Sequence, residues 1–226
     1  MRLTPVQARV VAVLVEKQHT VPDAYPLSLN ALVTGCNQKN ARDPVMDISE
    51  AEARDALDEL RGKVLVIESS GARVTRYAHN MGRVLKIPSQ AEALLATLIL
   101  RGPQTTSELR INSERLHRFA DTGSAEVFLE ELATRPDAQG GALVVKLPRR
   151  PGEREARWAH LLCGEPPAPA PTPVELPSPG QRPNLESELA QLRGELEALR
   201  GEVNTLKEQM AQLVRMTSTQ QPDRAA

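Results

Sequence analysis

Apolar positions recur every three or four residues in three successive stretches, then give way to a continuous apolar, β-branched run, and the whole order begins again. Thr4-Pro5-Val6-Gln7 starts a helix, with a Thr cap, Pro at the first helical position and Gln three residues after the cap. Val10, Val13 and Leu14 then fall on one face. A second helix is expected over residues 28–36, with Leu29, Leu32, Val33 and Cys36 together. Ser49 and Glu52 form a capping box that opens a third, running to about Gly62 with Ala53, Ala56, Leu57 and Leu60 inward. Val64-Leu65-Val66-Ile67 reads as a strand, Ser69-Ser70-Gly71 as a turn, and residues 73–79 as the returning strand.

The second copy lies 85 residues on, where Leu95, Leu98 and Ile99 take the places of Val10, Val13 and Leu14. Ser89 through Glu92 repeats the capping-box pattern, and Thr105 with Glu108 opens the next helix, with Leu109 inward. A third helix is expected over residues 124–133, its core side formed by Val127, Phe128 and Leu132. Residues 142–147 and 156–162 form the hairpin, joined by a turn over residues 148–155. Three helices followed by a hairpin is the order of a winged helix-turn-helix; an unrelated small α+β unit repeated twice is the alternative. The expected fold is mainly α with small β-hairpins. It comprises tandem winged helix-turn-helix domains over residues 1–87 and 88–164, followed by a C-terminal parallel coiled coil.

Residues 165–183 are Pro-rich and read as an extended linker, and residues 217–226 as a disordered tail. Over residues 184–216 a heptad seam runs through Leu185, Leu189, Leu192, Leu196, Leu199, Val203, Leu206, Met210 and Leu213. In a parallel pair Glu188 meets Arg193, Glu195 meets Arg200 and Glu202 meets Lys207 across the chains. An antiparallel pair sets like charges together, so a parallel homodimer is expected. Gly194 and Gly201 on the outer face each weaken the helix by about 1 kcal/mol.

Composition narrows the function classes. The chain carries 28 basic and 29 acidic residues, so bulk charge does not mark a nucleic-acid binder. Tyr25, Tyr77, Phe119, Phe128 and Trp158 are too few for a single-strand stacking platform. Cys36 and Cys163 offer no disulfide framework or zinc spacing. His19, His79, His117 and His160 have no paired spacing, and no glycine-rich phosphate loop is present. These features lead us to expect a binding protein with no cofactor and no catalytic site. The apolar run from Val10 to Val15 is too short to span a membrane, so a cytoplasmic protein is expected.

The stretch from Glu16-Lys17-Gln18 through Tyr25-Pro26-Leu27-Ser28-Leu29-Asn30 to Cys36-Asn37-Gln38-Lys39-Asn40 resembles the signature of the YceH family of bacterial proteins. Arg101-Gly102-Pro103-Gln104-Thr105, Glu108-Leu109-Arg110, and the run from Leu147-Pro148-Arg149 to Trp158-Ala159-His160-Leu161 carry the same resemblance. It covers roughly residues 3–165 and implies a tandem winged-helix fold, with no established activity. The Pro-rich and heptad segments lie outside it.

Two partners are compatible with the fold, duplex DNA and another protein. A third helix that reads the major groove needs Arg, Lys, Asn or Gln outward. Here Glu50, Glu52, Asp55, Asp58 and Glu59 crowd the first such helix, and Glu126, Glu130 and Glu131 the second. Phosphates repel such faces. DNA contact therefore falls to the loop and hairpin cations Lys39, Arg42, Arg73, Arg76, Arg149 and Arg150. The polar loop over residues 36–44 reads either as a recognition surface or as a segment that satisfies its own backbone.

Overall fold

A computed structural model describes residues 1–69, 74–149 and 152–166, together with the helical residues Gly194, Glu197, Leu199, Arg200, Gly201, Asn204 and Lys207. The chain divides into two compact units, Met1–Ala168 and Pro169–Ala226. The first unit is mixed helical with small antiparallel sheets.

Its first half runs α1 (Pro5–Thr20), β1 (Leu27–Ser28), α2 (Leu29–Cys36), α3 (Glu50–Gly62), β2 (Val66–Ser69) and β3 (Arg76–His79). A short helix, α4 (Met81–Leu85), links it to the second half. That half runs α5 (Ser89–Arg101), α6 (Thr106–Asn112), α7 (Thr122–Ala133), β4 (Val144–Lys146) and β5 (Trp158–His160). The capping boxes of Thr4 with Gln7, Ser49 with Glu52 and Thr105 with Glu108 are all formed. Each satisfies two amide donors that a helix start leaves without partners.

The helices α1 and α5 are each buried on every side over about nine residues, rather than on one face. The cause is that each packs within its own repeat and also against the other. Leu14 and Val11 thus share one continuous core with Leu94 and Leu98. Full burial of such a side chain stabilises the fold by roughly 1.5–3 kcal/mol. The two repeats are therefore halves of one packed body.

Several expectations need correction. Pro88, not a capping Ser, precedes α5, and Glu92 is buried instead of reaching back to the helix start. Helix α7 begins at Thr122 under an Asp121 cap. Its inward residues are Ala125, Leu129 and Leu132, while Val127 points outward at 63% exposure. The strand β1 and the helix α4 are additional to the expected elements.

The first sheet has the order β1-β3-β2, with Leu27 opposite Tyr77 and Val66 opposite His79. The second pairs β4 with β5, and Gln104 bridges Trp158 just before α6. Gln104 thus stands where β1 stands in the first repeat. The heptad segment lies outside the described residues except at the seven helical positions, of which Leu199 is the one seam residue.

Candidate functional site

The returning strands carry the same four-residue pattern, Arg76-Tyr77-Ala78-His79 and Arg157-Trp158-Ala159-His160. In both, the arginine reaches back to a proline carbonyl ahead of the second helix. Arg76 Nη1 donates to the Pro26 oxygen at 2.8 Å, and Arg157 Nη1 donates to the Pro103 oxygen at 3.2 Å. Arg157 also pairs with Glu108 at 3.0 Å. The aromatic residue differs in burial. Trp158 is fully buried and donates from Nε1 to Thr106 Oγ1 at 3.1 Å, while Tyr77 is half-buried. Each terminal histidine leaves a buried Nδ1 without a partner. This repeat was present in the sequence, but its spacing of 81 residues differs from the 85 that aligns the first helices.

His79 lies where the repeats meet. Its Nε2 faces Gln18 Oε1 of α1 and, at 3.6 Å, Glu92 Oε1 of α5. Its backbone N–H donates to the Tyr25 hydroxyl at 2.7 Å. Burial, aided by the nearby His19, pushes the imidazole down to about 4, so it is neutral at pH 7. Burial raises the Glu92 carboxyl against a hydrogen bond from the Gly82 backbone. Burial also pushes the Tyr25 phenol up to about 12. A Cβ at Gly82 would meet Glu92 Oε2 at 2.5 Å, so glycine is what lets this carboxyl approach. With both side chains at least nine-tenths buried, the cluster serves the junction between the repeats.

The loop over residues 36–44 satisfies itself. Asn37 exchanges two hydrogen bonds with the backbone of Ile48. Arg42 is buried, which removes it from the set of DNA-contact candidates. Its guanidinium meets Glu16 at 2.6 and 3.2 Å and also donates to Gly35, Gln38 and Ala41. Every direction from which a phosphate would approach is already taken. Burial alone would raise the Glu16 carboxyl, but the hydrogen bond and charge of Arg42 outweigh it and hold the group below its ordinary value. Buried Arg9 braces the same loop by donating to the Cys36 and Pro44 carbonyls. Burial drives the Cys36 thiol up to about 12, despite nearby cations, which keeps it protonated at neutral pH.

Of the remaining DNA-contact candidates, Lys39 and Arg149 are exposed and lie in different repeats. Arg76 is exposed but held by its carbonyl contact. Arg73 and Arg150 lie outside the described residues.

A different surface stands out in the first repeat. Along α3 the cations are engaged by neighbouring carboxylates: Arg54 by Glu50, Arg61 by Asp58 and Glu68, and Lys63 by Glu59. Such exposed pairs contribute below about 1 kcal/mol each, but they leave the face acidic. On the hairpin that follows, Val64 and Ile67 are 58% and 48% exposed, and Val74 is exposed as well. The second hairpin differs. Lys146 lies over the Trp158 ring at 5.0 Å and pairs with Glu126 at 2.9 Å, and Pro148 follows β4.

Among the described residues no helix is long and apolar enough to cross a membrane, and no group of three or more His, Cys, Asp or Glu is placed to hold a metal.

Comparison with known proteins adds a family without adding a ligand. The family model described as "Protein of unknown function, DUF480" matches residues 3–153. A UPF0502 protein of Leptothrix cholodnii is 65% identical over 163 residues, which is 72% of either chain. One from Delftia acidovorans is 63% identical over 162 residues, again 72% of both. A Burkholderia thailandensis relative is 64% identical over 163 residues, covering 72% of this chain and 68% of its own.

Proposed function

Starting from the fact that the chain belongs to the DUF480 family of uncharacterised bacterial proteins, we propose that it is a non-enzymatic tandem winged-helix protein whose first repeat binds another protein. The winged-helix reading is supported by the shared order of the two repeats. In each, a strand or bridge precedes the second helix and pairs with the last strand of the hairpin. The observation that carries the partner class is the α3–hairpin face. Apolar Val64, Ile67 and Val74 are exposed on the hairpin that follows a helix whose cations are already paired, with Ile67 on the sheet face away from that helix. Duplex DNA would meet repulsion there, whereas a protein partner gains by covering the apolar side chains. Residues 184–216 then join two chains as a parallel coiled coil. Leu199, at a seam position, is helical.

The test is a titration of the full chain with a random-sequence duplex across a salt series. This reading predicts no binding even at low salt. A steep salt slope that flattens by about one unit when Arg149 is replaced by Ala would overturn it in favour of DNA. A photo-crosslinking residue at Val64, introduced in cells, is expected to give a discrete protein adduct.

A further inference from the structure

The strand β2 forms one edge of its sheet, with β3 on one side and no described strand on the other. Sheet edges present unpaired backbone amides and carbonyls, and they are ordinarily guarded by Lys, Pro or charge directed at the edge. The second hairpin has such guards in Lys146 and Pro148. In register, Glu68 of β2 takes the place of Lys146 and Ile67 the place of Val145, so the position that carries a cation in the second hairpin carries an acid here, beside an Ile67 that is 48% exposed.

The two faces of this edge differ in chemistry. Val66 and Glu68 lie on the face toward α3, where Glu68 pairs with Arg61 at 2.9 Å and Asp58 pairs with the same arginine. Ile67 and Ser69 lie on the opposite face, across from Ala78 and Arg76. Between Asp47 and Ser69 there are seven carboxylates and three cations, and each of those cations already has an acidic partner. A strand laid against β2 would therefore place alternate side chains beside apolar Ile67 and beside the acidic α3 face.

Resting on the protein-binding reading above, we infer that the edge of β2 takes an extended segment of a partner protein, alternately basic and apolar, as an added strand. Charge selects this occupant. A second copy of the same edge would bring Glu68 and the α3 carboxylates against their own kind, and nucleic acid would bring phosphates against them. Backbone hydrogen bonds hold the segment, and alternation of its side chains gives specificity.

The experiment uses the full chain and a labelled seven-residue peptide of alternating Lys and Val, Lys at both ends, at physiological salt. A peptide of the same composition with its Lys and Val in separate blocks is the control. The alternating peptide is expected to bind about tenfold more tightly than the block peptide, and to slow hydrogen exchange over the segment containing β2. Ile67→Lys is expected to weaken binding about tenfold. The side chain is exposed, so an unchanged melting temperature confirms the fold. Ile67→Thr, which keeps the strand but removes apolar area, is expected to give a smaller loss. Equal binding of the two peptides, no effect of Ile67→Lys, or unchanged exchange over β2 overturns the inference. If the Val64 crosslink persists while the peptide results fail, strand addition falls and protein binding by this face stands. If the crosslink also disappears, both fall.

Discussion

The two hairpins close the same kind of sheet with different surfaces. In the second, a fully buried Trp158 fixes the returning strand to α6, and Lys146 and Pro148 mark the outer strand. In the first, the equivalent aromatic is half-buried Tyr77, Glu68 stands in the place of Lys146, and the outer strand exposes Ile67 on the face away from α3. Both keep the arginine that reaches a proline carbonyl and the histidine with an unpartnered Nδ1. The repeats share the arginine and histidine contacts, and they differ in how deeply the aromatic is buried and in the charge of the outer strand. The second hairpin reads as the anchored one and the first as the one available to a partner.

The strongest way to break this comparison is at the aromatic position. Trp158→Ala is expected to cost about 4 kcal/mol, through the cavity it leaves and the loss of its bond to Thr106. Tyr77→Ala is expected to cost clearly less, because less of its surface is buried. Urea unfolding of both variants measures the difference, and equal losses would mean the hairpins are anchored alike.

Next is the loop between α2 and α3, held by the buried Arg42. Arg42→Ala leaves Glu16 and the Gly35 carbonyl without their partner and is expected to cost about 3 kcal/mol. Arg42→Lys should recover little, since one ammonium cannot replace the paired guanidinium contacts. Thermal unfolding of the two variants checks this.

The junction histidine gives a pH dependence with a defined sign. The folded value of His79, about 4, lies below its ordinary value of 6.5, so the unfolded chain takes up the proton first. Stability from this group is present above 6.5 and is lost as pH falls toward 4. Between pH 7 and pH 5 the expected loss is about 2 kcal/mol. Comparing urea midpoints of the unmodified chain and His79→Gln at both pH values isolates it. An equal pH response in both would contradict the assignment.

The smallest expected effect concerns the arginines. Arg76→Ala should cost about 1 kcal/mol, and Arg157→Ala somewhat more, because Arg157 also pairs with Glu108 and Glu153. A structural role predicts these losses in the absence of any nucleic acid, as read from melting temperatures.

Much of the scaffold was legible because local rules dictate it. Thr4, Ser49 and Thr105 each cap the helix they precede, and the apolar stripe of α3 is buried as its spacing requires. What was not legible depended on long-range packing. The pattern at Val10, Val13 and Leu14 indicates one buried face, but it does not reveal that α5 covers the other. Glu92 sits at a capping-box position, yet Gly82 and His79 draw it inward. Val127 is five residues from Leu132, about 140° round the helix, and so falls outside the buried stripe of Ala125, Leu129 and Leu132. Among the interface candidates, Arg42 shared the polarity of its loop with Lys39. Only the position of Glu16 on the neighbouring α1 shows that one is buried and the other exposed.

The central claim is that the first α3–hairpin face, unlike the second, meets a protein. The most direct measurement places the same photo-crosslinking residue in turn at Val64 and at Lys146, in the full chain, in cells. The account predicts a discrete protein adduct from Val64 and none from Lys146. Adducts of equal yield at both positions, or crosslinks from Val64 to DNA alone, would contradict it.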